Sequence, residues 1–385
     1  MERAELENLV RATGVTEAHG GLIFLRDPHW SAAQRAMFAA VQSKLENRKS
    51  KMESGWLCIP TGGSSGGLKF ARHDEVTLTA AVAGFCAHLG VNRVNAIDVL
   101  PPWHVSGLMA RVRCAATDGR HLPWAWKQLE QGDFPEIEAA GRWLISLVPT
   151  QLQRLLANPA ACDWLRRLHL IFIGGGPVWP ALMEAARNAT LPLSLSYGMT
   201  ETAAMVAAQR PGDFTGGDRS SGCGLPHARI TVGPEGAIRI GGASLMRGYL
   251  GEPDLTGEFV TPDLGAIDDT GRLQVFGRRD EVIISGGEKI NLREVEAVLR
   301  EQNCFADVAV LAVPSEEWGE ILVACYVPLS GAAWPEAEIN RLLSRHQRPK
   351  HRLAFAAADW PRNAQGKLNR ATLQAAVSAR LHPSG

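Results

Sequence analysis

The chain has 385 residues, 45% of them hydrophobic, which is enough for a substantial core and suits two domains more readily than one. Forty Lys and Arg balance forty Asp and Glu, so there is no basic excess to hold nucleic acid or an anionic lipid surface, and neither partner class is indicated. Seven scattered cysteines with no C-x-x-C pair suit reduced thiols, the start MERAELENLVRATG has no apolar h-region, and no window is apolar enough to span a membrane; a soluble, cytoplasmic protein is expected.

Residues 1 to about 50 read as amphipathic helix interrupted by GGLIFLRDPHW, with Ser31 placed to cap a helix through AAQRAMFAAVQSKL. Apolar runs such as WLCIP and LHLIFIGG then alternate with the helical patterns DEVTLTAAVAGFCAHLG and TQLQRLLANPA. Short buried strands between helices predict an α/β layer architecture with parallel strands. From residue 222 onwards the short glycine-punctuated segments ARITVG, GAIRIGG and GRLQVFG predict a small β-rich subdomain. After GRRDEVIISGGEKI come a helix at NLREVEAVLREQ, strands at DVAVLAVP and ILVACYVPL, and a helix at AEINRLLSRH. This is a compact α+β tail of roughly 100 residues starting near Asp280.

The segment CIPTGGSSGGLKFA (58–71) sets Gly62, Gly63, Gly66 and Gly67 among Thr61, Ser64 and Ser65, with Lys69 just beyond. Such a cluster implies a backbone that turns sharply or comes close to a ligand. A Walker A loop fails on spacing, because Lys69 stands one place late and no Ser or Thr follows it. Gly62 to Gly66 satisfy G-x-S-x-G, so Ser64 could be the nucleophile of a serine hydrolase, which would leave Lys69 without a role. The third reading is a phosphate-wrapping loop, with backbone N–H groups and the three hydroxyls around the β- and γ-phosphates of ATP and Lys69 as a point charge.

SLSYGMTETAAM (194–205) offers Tyr197 as a flat ring for a base, Gly198 for close approach, and a hydroxyl–carboxylate pair, Thr200 and Glu201, suited to an α-phosphate and its Mg²⁺. The same residues also read as a helix start capped by Thr200. FIGGGPVWP (172–180) puts Gly174, Gly175 and Gly176 before Pro177 at a strand end, where α/β proteins bind ligands, although taken alone the segment is better explained as a tight strand-to-helix turn closed by Pro177. PPWHVSGL (101–108) holds a lone His104, and the eleven histidines show no metal-binding spacing. Asp263 in TPDLGAID and Arg278 in GRRDEVIISGGEKI are candidates for ribose hydroxyls, and Lys367 sits on a glycine turn in PRNAQGKLNR.

In chain order, TGGSSGGLK, PPWHVSGL, GGGPV, SYGMTET, GGASLMRGY, TPDLGAID, GRRDEVIISGGEKI and PRNAQGKLNR resemble the motif series of the adenylate-forming superfamily of acyl-CoA synthetases, adenylation domains and luciferases. The resemblance covers residues from about 55 to 372, and the wording of SYGMTETAAM and PRNAQGKLNR is most similar to the short 2-succinylbenzoate-CoA ligases of menaquinone or phylloquinone biosynthesis. It implies an N-terminally shortened version of that fold. A large α/β domain with parallel-rich sheets and a small β subdomain (1–279) would precede a small mobile α+β lid (281–385), with the hinge at Asp280. It also implies ATP, Mg²⁺ and CoA as co-substrates, an aromatic carboxylate as the acid, and a monomer or homodimer.

By the same resemblance, the loop carrying Thr61, Gly62, Ser64, Ser65, Gly66 and Lys69 holds the β,γ-phosphates. Gly175, Gly176, Pro177 and Tyr197 flank the adenine, and Asp263 and Arg278 hold the ribose. Thr200 contacts the α-phosphate and Glu201 the Mg²⁺, while Lys367 bridges the attacking carboxylate and the α-phosphate during adenylation. Rotation about Asp280 then brings Gly286 and Gly287 to line a pantetheine tunnel, with His104 at the mouth of the acyl pocket. Two departures stand out: Leu68-Lys69 replaces the usual Pro-Lys, and Thr261-Pro262-Asp263 replaces T-G-D. A dicarboxylic acid requires a polar or cationic group deep in the acyl pocket, for which His104, Ser106 and Arg111 lie near the right segment. Alternatives keep the fold and change the acid to another aryl or fatty acid; with no carrier domain after residue 385, free CoA is the expected acceptor.

Overall fold

The computed structural model describes residues 1–46, 54–62, 68–363 and 366–381. The chain divides into two compact units, one built from 1–177, 185–261 and 265–275, the other from 178–184, 262–264 and 276–385.

In the first unit a seven-stranded sheet runs in the order Cys223–Gly224, Ala204–Ala208, Leu193–Met199, Leu170–Ile173, Trp143–Leu147, Asn95–Asp98, His121–Pro123. The five strands from Leu193–Met199 to His121–Pro123 are parallel, and the last two added at the other edge are antiparallel. The expected parallel pairing is therefore concentrated here. In a second, five-stranded sheet only Leu22–Leu25 and Leu57–Gly62 pair in parallel among the described residues, and Leu68–His73 pairs with Leu57–Gly62 antiparallel.

Two helices, Glu75–Leu89 and Val105–Ala116, lie between these sheets. Leu78, Ala81, Val82, Leu108, Met109 and Val112 pack with Ile23, Leu57 and Ile59 of the five-stranded sheet. Phe85 and Cys114 pack with Ala96, Leu144, Leu170 and Phe172 of the seven-stranded one. Burial from both sides explains why TLTAAVAGFCAHL is apolar nearly all round. Asp74 caps the first of these helices by accepting from the Thr77 N–H, and Gly90 ends it in a left-handed conformation at φ 63°. Ser31 forms the expected cap of helix Ala32–Glu46, exchanging bonds with Gln34 at 2.9 and 3.2 Å.

The β-rich segment forms a four-stranded sheet in the order Ala228–Val232, Ala237–Gly242, Phe259–Ile267, Leu273–Arg278. The second unit centres on the long antiparallel pair Phe305–Ser315 and Gly319–Pro328, extended by Val282–Ser285, Glu288–Asn291 and the parallel strand His351–Ala354. Helix Leu292–Arg300 covers one face of this sheet through Val295 and Leu299, and Leu373 and Val377 of helix Arg370–Leu381 cover the other. The helix read from AEINRLLSRH is short, Glu336–Leu342. Among the described residues, no helix is long and apolar enough to cross a membrane, and all seven cysteines are free thiols.

Candidate active site

The parallel strands end on one edge of the seven-stranded sheet, and the ligand-type motifs fall at those ends. Gly174 to Pro177 follow Leu170–Ile173, while Tyr197 lies at the end of Leu193–Met199, just before Thr200 and Glu201. Ser196 Oγ donates to the Ile173 carbonyl at 3.1 Å, which fixes the two neighbouring ends together. Gly198 is needed because a Cβ there would lie 2.0 Å from the Ala204 carbonyl oxygen. Thr200–Thr202 form a single 3₁₀ turn preceded by Met199 as its cap, so Thr200 opens a turn and not the α-helix that one reading allowed.

Glu201 is the centre of this constellation. It is buried, and its Oε1 accepts from Tyr249 Oη at 2.7 Å and from Thr61 Oγ1 at 3.2 Å. Its carbonyl accepts from the Met246 N–H at 2.8 Å. Thr61 and Lys69 are directly opposed across the antiparallel hairpin and so share a face, and Lys69 Nζ sits 5.0 Å from the centre of the Tyr249 ring. Burial and the adjacent Glu201 carboxylate push the Tyr249 phenol up, which keeps it a hydrogen-bond donor. Gly62 closes the strand Leu57–Gly62; Ser64, Ser65 and Gly66 lie outside the described residues.

A second layer holds these groups. Fully buried His73 presents Nε2 to the Thr200 carbonyl at 2.8 Å and Nδ1 to Thr77 Oγ1 at 3.0 Å. The carbonyl can only accept, so Nε2 carries the proton; desolvation pulls the imidazole down to about 4 and keeps it neutral. Buried Arg72 bonds the carbonyls of Ser54, Glu252 and Tyr249 at 2.7, 3.1 and 3.3 Å, which pins the strand Gly248–Tyr249 beside the hairpin. Arg247 grips Asp74 with two bonds of 2.6 and 3.1 Å. His73 and Tyr249 were not singled out by their local sequence, although Tyr249 ends the quoted GGASLMRGY.

His104 is half-buried and precedes helix Val105–Ala116 as its cap residue. Along that helix Arg113, not Arg111, is the deep cation. It is 5% exposed, lies 4.1 Å from the Phe85 ring centre, and leaves Nε and Nη2 without a hydrogen-bond partner among the described residues. Burial pushes its guanidinium down to about 10. It borders a narrow cavity of about 20 Å³ lined by Phe85, Val94, Leu144 and Phe172 and also by Asp98 and Ser146, room for little more than one small polar group. Two residues on an α-helix point about 200° apart. Arg111 accordingly lines a different cavity of about 340 Å³ with Trp124, Trp126 and the His121–Asp98 pair, whose ring nitrogen and carboxylate are 3.0 Å apart.

In the second unit Arg278 forks onto Asp280 at 2.8 and 3.0 Å and also feels the charge of Asp263, so the two ribose candidates share one electrostatic neighbourhood. Gly286 and Gly287 both have positive φ, 57° and 87°, in the turn between Val282–Ser285 and Glu288–Asn291. A Cβ on Gly286 would meet the Trp318 ring at 2.7 Å. Lys350 and Arg345 lie 4.2 and 5.8 Å from that ring's centre, a cationic rim that the motifs did not reveal. Lys367 sits on a hairpin closed by the bridge between Arg362 and Leu368, with Gly366 at φ 74°; desolvation brings its ammonium down to about 8.

The AMP-binding enzyme model matches residues 2–250, and the model of the AMP-binding enzyme C-terminal domain matches 294–367. The chain belongs to the AMP-binding enzyme family. It is 32% identical over 342 residues to a probable 2-succinylbenzoate–CoA ligase of Mycobacterium tuberculosis, covering 82% of this chain and 83% of the other. An indoleacetate–CoA ligase of Aromatoleum aromaticum is 32% identical over 316 residues, which is 73% of this chain but only 61% of that enzyme. O-succinylbenzoate coenzyme A synthetase from Bacillus subtilis, in complex with ATP and magnesium ion, superposes with a TM-score of 0.71 at 25% identity, covering 84% of this chain and 70% of the other. The adenylate-forming fold expected from the motifs is thus the fold of this enzyme.

The serine-nucleophile reading of Ser64 loses its structural context. A nucleophile elbow joins a strand to a helix, whereas here the segment after the loop is the antiparallel strand Leu68–His73. A Mg²⁺ ion suits the donor set. No group of three or more His, Cys, Asp or Glu is arranged for a metal among the described residues. One carboxylate, Glu201, completed by phosphate oxygens and water, is the usual provision for this hard cation.

Proposed function

We propose that the enzyme joins an aromatic dicarboxylic acid, 2-succinylbenzoate, to CoA at the expense of ATP. A carboxylate oxygen attacks the α-phosphorus, the bond to the bridging oxygen breaks, and pyrophosphate leaves; the CoA thiol then gives up its proton, attacks the acyl carbonyl, and AMP leaves. Thr61, Lys69 and the residues between them would hold the β,γ-phosphates, Thr200 the α-phosphate, and Glu201 the Mg²⁺ that would spread the charge of the leaving group. Gly175 to Pro177 and Tyr197 are assigned to adenine, Asp263 and Arg278 to ribose, Gly286 and Gly287 to the CoA arm, and His104 to the mouth of the acyl pocket. Lys367 would supply a cation to the charge that develops during adenylation. Asp280 is assigned as the hinge between residues 1–279 and 281–385.

The observation that carries the choice of acid is Arg113. A buried cation with two donor nitrogens that find no hydrogen-bond partner among the described residues is costly; the cavity beside it is lined by apolar side chains together with Asp98 and Ser146, and an anionic group reaching it would offset that cost. A monocarboxylic acid spends its only carboxylate on the α-phosphate; a dicarboxylic acid has a second one to offer. The test is pyrophosphate release with ATP, Mg²⁺ and CoA across 2-succinylbenzoate, benzoate, a cinnamate, a medium-chain fatty acid and no acid. Selective turnover of 2-succinylbenzoate is expected, and preference for a monocarboxylic acid would overturn this assignment.

A further inference from the structure

The Lys367 hairpin is fastened at both ends to buried carboxylates of its own unit. Before it, Arg362 reaches Asp307, and its other terminal nitrogen donates to the Gly366 carbonyl at 2.7 Å. After it, Arg370 reaches Glu296 and donates to the Val310 carbonyl at 3.0 Å. Within the hairpin the Lys367 N–H donates to Asn363 Oδ1 at 3.0 Å, and the Lys367 carbonyl accepts from the Asn363 N–H at 2.8 Å.

Glu296 is the hub of these contacts. It is 4% exposed on helix Leu292–Arg300; its Oε2 takes Arg370 and the Val310 N–H, and its Oε1 faces Arg300 at 3.2 Å and Arg293 at 3.6 Å. Three guanidinium groups hold its carboxyl down to about 2 despite burial. Arg300 also faces Asp307 at 3.5 Å, so the two anchors of the hairpin are joined. In the other direction Arg293 donates to Glu281 at 2.7 Å, one residue beyond Asp280.

We infer that Glu281, Arg293, Glu296 and Arg370 form a relay of ion pairs that fixes the Lys367 hairpin to the segment around Asp280, with Glu296 as the positioning residue that sets where the lysine ammonium stands during adenylation. Replacing a buried ion cluster by apolar side chains is often neutral or favourable for stability, so stability alone does not account for four charges here. Direction does: a lysine has four rotatable side-chain bonds, and its head group is placed only as well as its backbone is. Asp307 holds the chain before Lys367 through Arg362, and Glu296 holds it after Lys367 through Arg370, the first residue of helix Arg370–Leu381. The inference rests on the assignment of Lys367 to the adenylation step.

The test compares the two half-reactions, acyl-adenylate formation from ATP and acid, and thioester formation from supplied acyl-adenylate and CoA, in Glu296→Gln, Arg370→Lys and Lys367→Ala. A misplacement on the order of 1 Å costs about 10²-fold in rate. Glu296→Gln should therefore lower adenylation kcat by about 10²-fold, with KM for ATP unchanged and thioester formation within about twofold. Arg370→Lys keeps the charge but loses the fork; it should fall between Glu296→Gln and the wild type, and it decides the matter if the glutamine variant does not fold. Parallel loss of both half-reactions in Arg370→Lys, or no loss in either, would overturn the relay. If Lys367→Ala spares adenylation, the assignment of the lysine itself fails and the relay's role fails with it, an outcome distinct from a normal Lys367→Ala defect beside an indifferent Glu296→Gln.

Discussion

Replacing Arg113 by Met should make the resting protein more stable and the enzyme worse, and the opposed signs are the diagnostic. Burial depresses the guanidinium from its ordinary value to about 10, which corresponds to roughly 3 kcal/mol against the charged form. The Phe85 ring, 4.1 Å away, returns about 1–2 kcal/mol of that. Arginine stays protonated below pH 10 in both folded and unfolded chains, so the remaining penalty applies throughout the neutral range. Methionine has similar length and no charge, and the variant should gain about 1–2 kcal/mol in chemical denaturation. Against that, a bound dicarboxylate would lose its buried partner, at a cost of about 2–5 kcal/mol. This translates to a fall in kcat/KM for 2-succinylbenzoate of about 30-fold to several thousand-fold. The contact is present in the ground state as well as the transition state, so the loss should appear in KM with kcat largely kept. Pyrophosphate release and urea unfolding on one preparation measure both effects. Unchanged KM for 2-succinylbenzoate in Arg113→Met would refute the reasoning, whatever happened to stability.

The Lys367 ammonium must be charged to act and lies near 8 in the free enzyme, so kcat/KM for adenylation should fall as pH rises through about 8; Lys367→Arg should carry that fall above pH 10. Tyr249→Phe removes the 2.7 Å bond to Glu201 and leaves Thr61 as the remaining side-chain donor. The loss of one hydrogen bond to a charged group is worth about 1.5–3 kcal/mol, which predicts at least a tenfold rise in the Mg²⁺ concentration that half-saturates adenylation, read from a metal titration at fixed ATP. Gly286→Ala puts a methyl 2.7 Å from the Trp318 ring at a φ of 57°, so thioester formation should fail while acyl-adenylate still accumulates, measured as a burst of pyrophosphate without CoA consumption.

The motif series was legible because its chemistry is local. Thr61 and Lys69 are eight positions apart and face each other on paired strands, Thr200 and Glu201 are adjacent, and Gly286 and Gly287 make a turn whose positive φ angles only glycine adopts freely. Tyr249, His73 and Trp318 were missed for the converse reason. Tyr249 reaches Glu201 from 48 residues away and His73 reaches Thr200 from 127 away, and nothing in a window around either residue reports such a contact. The hydrolase reading of Ser64 came from the same limitation, since G-x-S-x-G does not say whether a helix or a strand comes next, and the antiparallel strand Leu68–His73 decides.

Arg111 and Arg113 show how much of that missing information is periodicity and how much is packing. Helical spacing alone separates them onto opposite faces, and it groups Arg113 with Ala110 on one side of helix Val105–Ala116; both line the narrow cavity. That much was available in VSGLMARVRCAA. What the spacing does not say is which face looks inward, because this helix is packed from two sides and both of its faces carry apolar residues. The partner that settles it is Phe85, 28 positions earlier on helix Glu75–Leu89, whose ring lies 4.1 Å from the buried guanidinium. An arginine held that way keeps Nε and Nη2 without a partner among the described residues, the reserve on which the proposed recognition of a second carboxylate depends.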